Sequence, residues 1–91
     1  MVSILTPFTV ARLPEILEAM RRNPHGVRFR DAYRLATATF GEPRQKGSSH
    51  MIWKMPWPGD PRVNLQRGKD GMAKAYQVRQ LLDAIERASR G

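Results

Sequence analysis

Two histidines occur in this chain of 91 residues, and one of them sits among residues that suggest chemistry. His50 follows Gly47-Ser48-Ser49 and precedes the alternating run Met51-Ile52-Trp53-Lys54-Met55. Imidazole exchanges its proton near neutrality without any special tuning, which suits it to general-base work. Basic side chains crowd the same stretch. Residues 44 to 79 carry Arg44, Lys46, Lys54, Arg62, Arg67, Lys69, Lys74 and Arg79 against Asp60 and Asp70, a net +6, out of +8 for the whole chain. Residues 1 to 43 hold only +2, and 80 to 91 are neutral. A basic field of this kind concentrates polyanions. A base beside cations also suits one reaction in particular. The base removes the proton of an RNA 2′-hydroxyl, the freed oxygen attacks the neighbouring phosphorus, and the cations stabilise charge developing on the phosphoryl oxygens. This route requires no cofactor, no metal and no external nucleophile. Gly47, Ser48 and Ser49 add N–H groups and hydroxyls that can approach a phosphate.

Each of these residues also has a plainer reading. The charge can be a solvated arginine surface, and His50 can fill a gap in a core. His25, in Asn-Pro-His-Gly, reads as a loop residue between helices. Trp53 reads as core, and Trp57 as either core edge or a base-stacking platform. Tyr76 is expected to pack at the start of the last helix. Other chemistries are disfavoured. The chain has no cysteine, so neither disulfides nor a thiolate zinc site can form. Near the basic stretch only Asp60 and Asp70 are acidic, which argues against a two-metal nuclease. Arg12, Pro14, Glu15 and Glu18 interrupt any signal-peptide core, and no run approaches the roughly 18 apolar residues of a membrane span. A cytoplasmic protein without membrane contact is the expectation.

The elements that must position His50 can be read from periodicity. Leu13, Ile16, Leu17 and Met20 are spaced as one helical face, with Pro14 and Glu15 early and Arg21 and Arg22 late. Pro24 and Gly26 then stop the helix. A second helix is expected in Val27 to Phe40 on the stripe Phe29, Ala32, Tyr33, Ala36 and Phe40, with Gly41 as its C-terminal cap. After Gly41 the period becomes two. Met51, Trp53 and Met55 alternate with His50, Ile52 and Lys54, and Val63 and Leu65 alternate with Arg62, Asn64 and Gln66. The turn formers of Pro56 to Pro61 connect these strands, and a weaker strand is expected near Glu42 to Lys46. A final helix, roughly Lys74 to Ser89, presents Val78, Leu81, Leu82, Ile85 and Ala88 or Ser89. Short connections between the strands imply an antiparallel sheet with helices on one face. The apolar Met51/Trp53/Met55 side should meet those helices, leaving His50, Ile52 and Lys54 on the open side. A histidine that shares an open strand face with lysine is not a natural core filler.

The segments Val27 to Ala36, Phe40 to Lys54, Arg62 to Gln66 and Gly71 to Glu86 together resemble the HicA toxins of type II toxin–antitoxin modules. The likeness covers residues 26 to 88, roughly two-thirds of the chain. Its more specific parts are the Gly-Ser stretch leading into a histidine three residues before an aromatic, and the helix start Lys-Ala-Tyr-Gln-Val-Arg-Gln-Leu-Leu. Ser49 stands between Gly47-Ser48 and His50, one residue more than the commonest spelling of the family. The resemblance implies an α+β fold similar to double-stranded-RNA-binding domains, a three-stranded antiparallel sheet with helices packed on one face. To this residues 1–25 add an N-terminal helical extension to the toxin-like domain at 26–91. It implies a metal-independent endoribonuclease, an mRNA interferase with His50 as the catalytic residue, neutralised as a hetero-oligomer by a HicB-type antitoxin. The residues expected to touch RNA are Arg44, Lys46, Ser48, Ser49, Lys54, Arg62 and Lys74. The alternatives are a non-catalytic RNA-binding module of the same fold, or a regulator whose basic face meets an acidic partner.

Overall fold

In a computed structural model, described for residues 12–46, 50–59 and 62–90 except the side chains of Gln45 and Lys46, the chain is α+β. Helix α1 spans Leu13–Arg22 and α2 spans Phe29–Phe40, with a single 3-10 turn at Pro24–Gly26 between them. Strands β1 (Arg44–Lys46), β2 (His50–Lys54) and β3 (Arg62–Gln66) follow, and α3 closes the fold at Ala75–Arg90.

The helix ends follow local chemistry. Glu15 accepts the Arg12 N–H (3.2 Å) at the start of α1, where Pro14 needs no acceptor. Gly41 ends α2 with φ at 91°, a conformation that L side chains adopt only at a cost, and its N–H donates to Thr37 O at 2.9 Å.

The antiparallel hairpin of β2 and β3 is the centre of the sheet, in register from His50 opposite Gln66 to Lys54 opposite Arg62. The three residues of β1 pair along the other side of β2, giving the order β1-β2-β3. Because side chains alternate, this register puts Met51, Trp53, Val63 and Leu65 on one face. Trp53 (1% exposed) and Leu65 (0%) are buried there beneath α2 and α3. Trp53 is held at both ends of its side chain. Its Nε1–H donates to Gly41 O at 2.8 Å, and Tyr33 of α2 meets the ring edge-on at 5.6 Å. Met55 continues the pattern past the strand end and is buried.

Ile16 and Met20 of α1 belong to the same buried cluster as Trp53, Leu65, Val78 and Leu81. The first helix is thus packed into the common core. Two expected helical stripes shift. Leu35 is buried in α2, whereas Tyr33 and Phe40 are half-buried. In α3 the buried stripe is Gln77, Val78, Leu81, Ala84 and Ile85, while Leu82 is half-buried and Ala88 and Ser89 are exposed. Tyr76 does not pack at the helix start: it is 56% exposed, the one exposed large apolar side chain among the described residues. Its place is taken by Gln77, 3% exposed, whose Oε1 accepts the Gln66 N–H at 2.8 Å. A strand N–H without an acceptor would cost about 1–3 kcal/mol once buried, so an amide turned inward here is worth more than another apolar contact.

Candidate functional site

The face of the sheet turned away from the helices carries three cross-strand rows. Lys46, His50 and Gln66 are register partners, as are Arg44, Ile52 and Asn64, and Lys54 stands opposite Arg62. His50, Arg44, Lys54 and Arg62 are exposed, and Ile52, Asn64 and Gln66 are half-buried. The alternation that buries Trp53 therefore delivers His50 to solvent. Among the described residues the His50 imidazole has no hydrogen-bond or ion-pair partner.

The expected site residues fall into two groups along β2. Strand rise separates His50 from Lys54 by about 13 Å, so Lys54 and Arg62 stand at the far end of the face from the imidazole. At the near end are Lys46, in register with His50, and Lys74, which is exposed and whose carbonyl accepts the first N–H groups of α3 from Gln77 and Val78. The hydrogen bond from Gln66 to Gln77 holds this helix start beside the His50 row. Arg44 lies in the middle row. Gly47, Ser48 and Ser49 lie outside the described residues.

Two aromatic and histidine expectations resolve. One face of Trp57 is covered by the Arg87 guanidinium, 4.6 Å from the ring centroid, and Phe40 meets the ring edge-on at 6.2 Å. Trp57 is thus core edge at the far end of the sheet, with that face unavailable to a base. His25 lies between the first two helices as expected, in the 3-10 turn, and its Nε2 accepts from Arg79 Nη2 at 3.3 Å. It is remote in chain and in contacts from the open sheet face.

Sequence reasoning assigned no role to three arginines that the fold brings together. The segment 71–73 is clamped between two others. Phe29 N–H donates to Gly71 O (2.9 Å) and Ala73 N–H to Val27 O (2.9 Å) on one side, while Gly68 N–H donates to Met72 O (2.9 Å) on the other. Gly71 has φ at 80°, which L side chains adopt only at a cost, and a Cβ on Gly68 would stand a tight 3.1 Å from Met72 O. The clamp gathers Arg28, Arg30 and Arg67, with Asp70, around an open groove of about 440 Å³. Nothing in residue spacing announces this, because Arg67 reaches Arg28 only through the clamped segment. The one available signal was a pair of arginines at alternate positions astride the α2 start.

Among the described residues no group of three His, Cys, Asp or Glu side chains is placed to hold a metal ion. No helix among them is long and apolar enough to cross a membrane. Comparison with protein-family models, with curated proteins and with solved structures returns no match to this chain.

Proposed function

We propose that the protein is a HicA-type toxin, a metal-independent endoribonuclease acting on mRNA in the cytoplasm. The observation that supports this most is the segregation of His50 onto the exposed, cation-bearing face of the sheet, away from the core. In the proposed reaction His50 takes the proton of a 2′-hydroxyl, and the oxygen attacks the adjacent phosphorus. The bond from phosphorus to the 5′-oxygen of the next nucleotide breaks, that oxygen takes a proton from solvent and leaves as a 5′-hydroxyl, and a 2′,3′-cyclic phosphate remains. A positioned base of this kind contributes on the order of 10²- to 10⁴-fold. Arg44, Lys46, Lys54, Arg62 and Lys74, with Ser48 and Ser49, bind the strand, the cations offsetting phosphate charge. The arrangement of α2, sheet and α3 is then that of a double-stranded-RNA-binding domain. An acidic HicB-type antitoxin would neutralise the toxin by covering His50, its association speeded by the basic patch.

One observation favours a second reading, a non-catalytic RNA-binding module. Among the described residues nothing hydrogen-bonds to the His50 imidazole, so none of them selects the tautomer that a general base requires. Product chemistry separates the two. Purified protein incubated with RNA in chelator should yield fragments ending in 2′,3′-cyclic or 3′-phosphate, and RNA methylated at the 2′-oxygen should stay intact. Binding of both RNAs with cleavage of neither selects the second reading. Cleavage of the methylated strand refutes attack by the 2′-hydroxyl.

A further inference from the structure

We propose that the Arg28–Arg30–Arg67 groove is a second phosphate site, which holds the RNA strand on one side of the His50 row. This inference rests on the RNA-binding reading above and extends it to residues outside the sheet face.

The charge in the groove is unbalanced. Arg28, Arg30 and Arg67 are all exposed, and among the described residues none has a carboxylate partner. Asp70, the acid at the rim, already accepts the Met72 N–H at 3.0 Å. Helix α2 begins at this groove without a side-chain cap, and Asp31 in its first turn offsets part of the positive end of its dipole. Guanidinium groups present planar forks that fit phosphate oxygens two at a time, which a lysine surface does not.

Arg67 is also pre-positioned. Its guanidinium carbon lies 5.1 Å from the Phe29 ring centroid, and Phe29 is followed by Tyr33 and Trp53 in one line of ring contacts into the core. Stacking of this kind fixes the side chain without using its N–H donors.

Continuity with the sheet face identifies the occupant. Arg67 follows Gln66, the register partner of His50, and its side chain turns to the opposite side of the sheet. The groove therefore begins where the His50 row ends, around the rim of the sheet. A strand lying across His50 reaches the groove within a short length of backbone, and the lining is too polar for an apolar ligand. Lys54 and Arg62, at the other end of the face, would hold the strand on its far side.

The test is an anisotropy titration of the full chain with a short, labelled, fully 2′-O-methylated RNA at several salt concentrations. Cleavage then plays no part in the readout. The double variant R28Q/R30Q changes two exposed side chains and should keep the wild-type melting temperature. It should bind roughly tenfold more weakly, with the slope of log affinity against log salt shallower by about 1.4, two contacts at about 0.7 each. Arg67→Lys keeps the charge but loses the fork, and should weaken binding by a smaller factor. An unchanged slope for R28Q/R30Q, while Lys54→Ala flattens it, overturns the groove and leaves the sheet face standing. Failure of the wild type to bind RNA at any salt overturns both readings. Polyglutamate serves as a second probe. If R28Q/R30Q weakens binding to it but not to RNA, the groove is a site for an acidic protein and the proposal fails.

Discussion

The two faces of the β2–β3 hairpin are built from the same two five-residue strands in one register, and they carry opposite chemistry. On one face Trp53, Val63 and Leu65 are sealed under α2 and α3. On the other, His50, Lys54 and Arg62 are exposed around half-buried Ile52 and Asn64. Neighbours in sequence thus meet different surroundings, Trp53 in the core and Lys54 in solvent, where the proposed function gives it a phosphate to bind. A slip of one residue in pairing would exchange the two sets, placing lysine and histidine in the core. The cost of that exchange is what holds His50 in the open.

If this division is right, substitutions on the two faces should separate cleanly into those that unfold the protein and those that do not. Trp53→Ala should have the largest effect. It removes a fully buried ring, its contact with Tyr33 and the donor to Gly41 O, and should cost about 3–5 kcal/mol in denaturant unfolding. A loss below about 1 kcal/mol would mean that the buried face is not the centre of the core.

Gln77→Ala sharpens the comparison at the rim. The Gln66 N–H would lose its acceptor, at a cost of about 1–3 kcal/mol, and its hydrogen exchange should accelerate. Unchanged exchange at Gln66 would show that Gln77 does not tie the start of α3 to the His50 row.

Lys54→Ala belongs to the open face and should shift stability by no more than about 0.5 kcal/mol. It should instead flatten the salt dependence of RNA binding by about 0.7 in log–log slope. A stability loss as large as that of Gln77→Ala would break the division between the faces.

Much of this division is legible in the chain. Alternation in His50–Met55 and Arg62–Gln66 points to the buried and open sides, because one buried face forces a period of two. Helix α1 is equally plain from Ile16 and Met20. Periodicity fails where a polar group has the stronger claim on the interior. Tyr76 is apolar and is placed one residue before the stripe, but it is Gln77 that turns inward, since a strand N–H at Gln66 needs an acceptor. The candidate site was legible only on the sheet. Arg28 and Arg30 meet Arg67 through backbone hydrogen bonds of residues 71–73 to two distant segments, and such contacts leave no spacing to read.

The central claim is that the open face moves a proton while the buried face holds the fold, and His50→Ala tests it most directly. Cleavage of unmodified RNA, melting temperature and affinity for 2′-O-methylated RNA should be measured on the same preparation. Cleavage should fall on the order of 10²-fold or more, with melting temperature and affinity unchanged. A variant that cleaves at the wild-type rate, or that loses activity only in proportion to lost folding, would contradict the claim.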